Sequence, residues 1–108
     1  MIYVASPYSH PDAAVREQRY RDVMSFVAER TRMGEFLYSP ILHWHPLAVA
    51  HGKPTSADFW HEHNFEMLCS LRELYVLKLE GWETSIGVAE EVQLAERNSM
   101  PIEYWSPL

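Results

Sequence analysis

Apolar positions along the chain follow two rhythms, one of period two and one of helical spacing. Ile2-Tyr3-Val4-Ala5 is a run of strand formers stopped by Ser6-Pro7-Tyr8-Ser9-His10-Pro11, where two prolines and two serines prevent continuation. Alternation sets Tyr3 and Ala5 on one face of that strand and Ile2 and Val4 on the other. Asp12 is a natural N-cap for a long polar helix to Met33, with a broken apolar face of Val15, the Arg19 stem, Met24, Phe26, Val27 and Thr31; Gly34 ends it. Glu35 to Ser39 is a second strand closed by Pro40. The segment from Ile41 to Ser56 holds two prolines, a glycine and three histidines, and reads as an irregular loop with one helical turn at Leu47 to His51. Ser56-Ala57-Asp58 opens a helix to about Leu71, and Glu73 to Leu79 is the third and clearest strand. Gly81 turns the chain, Thr84 or Ser85 starts a helix to Arg97, and Pro101 to Trp105 forms a last strand.

Strands alternating with helices at this spacing require right-handed crossovers and a parallel sheet. The expected fold is a three-layer α/β arrangement, flavodoxin-like or Rossmann-like, with four to five parallel strands and helices on both faces. Its 108 residues make one domain, 1–108. In such sheets ligands sit beyond the carboxyl ends of the strands, where the strand order reverses. That brings together the loops Ser6 to Pro11, Pro40 to Ser56 and Glu80 to Ser85.

Composition narrows the function classes. Apolar residues at 47% and charged residues at 22% are those of an ordinary folded domain, which excludes disorder. A net charge of -6 disfavours a general grip on a nucleic-acid polymer or an anionic membrane, although a few donors could still hold one phosphate. The lone Cys69 rules out an internal disulfide and suits a reducing cytoplasm; on a helix it is expected as a small buried hydrophobe. The first residues lack the basic region of an export signal, and no run reaches the length of a membrane span.

Candidate chemistry concentrates in Gly81 to Val92, GWETSIGVAEEV, at a strand end and a helix start whose free N–H groups favour an anionic ligand group. At about 100° per residue, Glu91 lies roughly 60° from the Val88, Val92 and Ala95 stripe, while Glu90 falls on the far side and is expected in solvent. Glu91 can therefore aim a partly desolvated carboxylate at the crevice, an arrangement suited to nucleophilic or acid-base work on a sugar, or it simply flanks the stripe. Tyr3 carries a hydroxyl into a buried layer, where a carboxylate or a backbone group must receive it.

The pairing of IYVASPY, from Ile2, with GWETSIGVAEEVQLA, from Gly81, resembles the nucleoside 2-deoxyribosyltransferase superfamily, most of all its small bacterial uncharacterised-domain relatives. The likeness runs from Met1 to Tyr104 and includes Asp58-Phe59-Trp60. It implies Glu91 as the nucleophile and Tyr3 as the residue that orients it. It further implies sugar or phosphate contacts at Ser6, Pro7, Tyr8, Ser85 and Gly87, the serine at 85 pointing to a 5′-phosphate. The aspartate of that superfamily's preceding helix maps either to Asp58 or to position 64, where this chain has Asn64. Trp44, Trp60 or Trp82 could stack on a base. The implied reaction attacks the anomeric carbon of a deoxyribosyl group, releases the nucleobase and passes the glycosyl ester to water or another base, with no cofactor and no metal. The implied ligand is a nucleoside or nucleotide, and the implied assembly a homo-oligomer, dimeric or larger.

Two other classes compete. His43, His45, His61 and His63 invite a metal site, although His61 and His63 stand about 200° apart on a helix. Loop histidines could equally contact a phosphate, helped by Arg16 or Arg19. The second class is a non-catalytic nucleotide or sugar-phosphate binding protein using the same crevice.

Overall fold

The structure, a computed structural model, describes residues 1–52 and 57–107, and the side chains of these except 57–60. Its elements are β1 (Ile2–Ala5), α1 (Ala13–Arg32), β2 (Leu37–Tyr38), α2 (Pro40–His51), α3 (Ala57–Cys69), β3 (Glu73–Leu77), a 3-10 turn (Trp82–Thr84), α4 (Ile86–Arg97) and β4 (Ile102–Trp105). The strands form one sheet in the order β2-β1-β3-β4, every pair parallel, with Tyr3 beside Leu74 and Val4 beside Tyr75. This is the three-layer flavodoxin-like arrangement expected from the alternation of elements. The chain moves outward from β1 to β2, then returns across it to β3, so the order reverses between β1 and β3.

The period-two pattern divides the core into two layers. Tyr3, Ala5, Leu74 and Val76 pack with Leu68 of α3 and with Val88 and Ala95 of α4. Val4, Tyr75 and Leu77 face the other way, against Val23 and Phe26 of α1 and Ile41 of α2. Burying this apolar surface on both faces is what holds a parallel sheet together. Asp12 caps α1 as expected, its carboxylate accepting from the Ala14 N–H at 2.9 Å. The buried face of that helix is Val23 and Phe26, however; Met24 and Thr31 are exposed, because the sheet meets the helix along one narrow stripe. Cys69 is exposed at the end of α3 rather than buried.

The largest difference from the sequence reading is α2. Pro40 to His51 is helical, not an irregular loop. Ser39 is its N-cap, accepting from the Leu42 N–H at 3.3 Å, and Pro40 occupies the first turn, where a missing N–H costs nothing. Gly52 closes it in the left-handed conformation. Pro46 removes one internal hydrogen bond, which burial of Ile41, His45 and Ala48 outweighs. The second strand is correspondingly shorter than expected. Among the described residues no helix is long and apolar enough to cross a membrane.

Candidate active site

A cavity of about 510 Å³ opens at the carboxyl ends of the strands. It is walled by the loop after β1, the start of α2, α3, and the turn leading into α4. Three residues, Arg19, Gly81 and Ser85, shape these walls. The Arg19 guanidinium donates to the Ser9 and Glu80 carbonyls, each at 3.1 Å, and so ties the loop after β1 to the loop after β3. Gly81 holds a φ of +90°, which is what calls for glycine here, and a Cβ would lie 3.0 Å from the same guanidinium, which would have to give slightly. Ser85 caps α4, accepting from the Val88 N–H at 3.3 Å.

Glu91 is the cavity's buried acid. It is 7% exposed, lines the cavity, and accepts a short hydrogen bond from the Tyr3 hydroxyl, which is itself fully buried behind it. Among the described residues no cation perturbs it. Burial pushes its carboxyl up to about 8; the Tyr3 hydrogen bond opposes that rise, and the neighbouring Glu90 charge adds to it. Tyr3 in turn is held well above the usual phenol range by burial first and by the Glu91 charge second. Glu91 and Tyr3, 88 residues apart in the chain, are thus one unit.

Of the other residues selected from sequence, Ser6, Pro7 and Tyr8 line the cavity from the first loop. Asn64, Ser85 and Gly87 line it from α3 and the start of α4. The Ser6 hydroxyl and the Asn64 carbonyl are buried with no hydrogen-bond partner among the described residues, although both belong to the cavity wall. Trp82 is not brought to the cavity: it packs on the α3–α4 side of the core, 5.7 Å from the Tyr104 ring. Trp82 opens the 3-10 turn, and its apolar ring is taken up by that part of the core. Trp44 does line the cavity. The side chains of Asp58 and Trp60 lie outside the described residues.

The side chain of Glu90 stays 36% exposed, but it does not stand in solvent alone. It lines the cavity and accepts from or shares a proton with His61 Nδ1 at 2.9 Å, because α3 packs along that flank of α4. His45, on the helix read as a loop, is 5% exposed and also lines the cavity. Its Nδ1 lies 2.6 Å from the Tyr8 hydroxyl and its Nε2 lies 2.5 Å from Glu17 of α1. The signal for His45 was present in the sequence as Ile41, His45 and Ala48, an i, i+4, i+7 stripe that follows a Ser-Pro helix start.

The histidines do not gather as a metal site would need. His43 stacks on His63 with ring centroids 5.6 Å apart, while His45 turns toward α1. Among the described residues no group of three His, Cys, Asp or Glu side chains is placed to hold an ion. Arg16 and Arg19 are both engaged with loop carbonyls, of His10 and of Ser9 and Glu80 respectively.

Chemically, the cavity offers a desolvated carboxyl with a fixed partner, unpartnered hydrogen-bonding groups beside it and a capped helix start. A comparison with curated proteins found no match. The family model of a domain of unknown function, DUF1937, matches residues 1–107, and the chain belongs to that family.

Proposed function

We propose that the protein is an N-glycosyl hydrolase or transferase that acts on a deoxyribonucleoside or its 5′-monophosphate, with Glu91 as the nucleophile. The observation that carries this reading is the buried Glu91 carboxyl, oriented by Tyr3 and facing a cavity at the switch point of the sheet. The likeness of IYVASPY and GWETSIGVAEEV to the nucleoside 2-deoxyribosyltransferase superfamily points to the same two residues. In this mechanism the Glu91 carboxylate attacks the anomeric carbon, the bond to the nucleobase breaks with its electrons, and the glycosyl ester is then taken by water or a second base. Tyr3 keeps the carboxylate in line. Ser6 and Asn64, whose polar atoms lack partners among the described residues, would bond to the sugar or base. Ser85 caps α4 with its oxygen and keeps its own proton to donate to a phosphate at the helix start. The reading includes no resident cofactor.

The second reading, a nucleotide or sugar-phosphate binding protein without chemistry, draws on Asn64. An amide stands at one of the two positions to which the superfamily's second acid maps, and an amide cannot supply a proton as an acid does. One assay separates the two: deoxynucleosides and their 5′-monophosphates are incubated with the protein and the free base is measured by chromatography. Base release lost in Glu91→Gln, with the fold retained, is the expected result. Thermal stabilisation by nucleotides without any product would favour the binding protein. With Glu91 pushed up to about 8, release is expected to climb with pH until about 8, as the carboxylate forms.

A further inference from the structure

Glu17, His45 and Tyr8 form a continuous chain of short contacts from the surface of α1 to the cavity wall, and the nucleophilic step uses none of them. His45 is buried, and its ring is clamped between three groups. Tyr20 stacks on it with centroids 4.4 Å apart, Tyr8 meets it edge-on at 5.5 Å, and Glu17 takes its Nε2 side. A ring fixed this way has no freedom to choose other partners. With the Nε2 proton donated to Glu17, Nδ1 is left as an acceptor and the Tyr8 hydroxyl donates to it. Tyr8 lines the cavity, its hydroxyl has the Arg16 guanidinium as a second neighbour, and its proton has a base behind it.

We propose that Tyr8, His45 and Glu17 are a proton relay that serves the leaving base and the incoming acceptor at the same site. This inference rests on the glycosyl-transfer reading and adds to it the group that Asn64 cannot replace. As the acceptor attacks the glycosyl ester, its proton passes to the Tyr8 oxygen while the Tyr8 proton moves to His45 Nδ1. The imidazolium so formed is held by the Glu17 carboxylate. The departure step, which comes first, starts from the imidazolium: the Tyr8 hydroxyl gives its proton to the leaving nitrogen as the carbon–nitrogen electrons move onto the base, and His45 Nδ1–H passes its proton to the Tyr8 oxygen, leaving the neutral ring that the acceptor step needs. One proton enters and one leaves in each turnover, and no external oxidant or reductant is needed. Tyr8 is the group that touches substrate; His45 and Glu17 act through it.

A merely structural network would hold the first loop in place and slow every substrate alike, so the test compares substrates that differ only in their need for a proton. Purine deoxynucleosides and their 5′-monophosphates release a base that must be protonated, whereas the N7-methylated derivatives release a neutral base without it. In Tyr8→Phe and His45→Gln, release of the unmodified base is expected to fall about 100-fold or more, with a loss on the methylated substrate at least about tenfold smaller. Glu17→Gln should show the same imbalance in weaker form, since the imidazolium loses its counter-charge. Glu91→Gln should lose both substrates. Equal losses on the two substrates in the relay variants, with Glu91→Gln inert, would overturn the relay and leave the nucleophile standing. No release from any of these substrates by the unaltered protein would overturn both.

Discussion

Tyr3 with Glu91 and Tyr75 with Glu35 join the same two functional groups on opposite faces of one sheet, and the two carboxyls are driven in opposite directions. Tyr75 donates to Glu35 at 2.5 Å, but Glu35 is also bonded by the Arg30 guanidinium. That cation leads the forces that hold the Glu35 carboxyl below the usual carboxylate range, with the Tyr75 hydrogen bond adding to it and burial opposing. Arg30 further lies over the Trp105 ring at 4.1 Å, so the group on this face is a closed set of a cation, an anion and aromatic rings. On the other face Glu91 has the phenol and, among the described residues, no cation, and burial pushes it up to about 8. A carboxyl that is neutralised in the fold braces it; a carboxyl left uncompensated beside a cavity awaits positive charge from elsewhere. The oxocarbenium-like transition state of glycosyl transfer would bring that charge.

The sharpest way to break this contrast is to remove each acid's charge and follow stability against pH. Glu91 titrates at about 8 in the fold against an ordinary 4.5, so the folded chain binds the proton more tightly than the unfolded chain. The stabilising effect of that proton is complete below about 4.5 and is lost as pH rises through about 8. Glu91→Gln escapes the loss. At pH 8 to 9 the variant should therefore be more stable than the parent protein, by an amount on the order of a few kcal/mol, and the difference should vanish near pH 4. Denaturant midpoints measured across that range check it. A destabilised Glu91→Gln at pH 8 would mean that the ionised carboxylate is compensated after all.

Glu35→Gln should act in the opposite sense and more weakly. Its lowered carboxyl contributes stability above the ordinary carboxylate value, and that contribution disappears as pH falls through the folded value. Removing the charge leaves Arg30 largely buried with Tyr75 and Trp105 but no anion, a loss of about 1.5–3 kcal/mol at pH 7 by the usual worth of a charge-assisted hydrogen bond. The same denaturant series would show it, and a neutral result would place the support in the Trp105 contact instead.

The two faces also differ in how far the sequence exposes them. Tyr3 follows from period-two alternation in a four-residue strand, and Glu91 from its angle on a twelve-residue helix with a serine cap; each is a local pattern. Their convergence needed only the parallel topology. His45 was hidden because His43-Trp44-His45-Pro46 looks like loop chemistry, and because its two partners come from α1 and the first loop, 28 and 37 residues away. The contact of the partly exposed Glu90 with His61 is hidden for a related reason: a helical wheel marks the face toward the sheet, yet α4 also has a flank toward α3. Trp82, chosen for its aromatic face, was claimed by the core. Local pattern thus reported what faces the sheet from the strands and α4, misjudged part of the buried stripe of α1, where Val23 rather than Met24 packs inward, and was silent on contacts between helices.

The smallest effect, and the one that ties the comparison to chemistry, is expected when each phenol is removed. In Tyr3→Phe the hydrogen bond that opposes the rise of Glu91 is gone, so its carboxyl should move above about 8 and the rising limb of the pH–rate profile should move with it. The stability cost should be about 1 kcal/mol, that of one neutral hydrogen bond, because Glu91 carries its proton at pH 7 whether or not the phenol is present. Tyr75→Phe should move the Glu35 carboxyl upward as well, but by less, since Arg30 remains the leading influence there. Carboxyl titrations followed by NMR would resolve both. If Tyr3→Phe left the Glu91 titration in place, the phenol would be a packing residue that happens to touch the acid, and the orienting role given to it would fall.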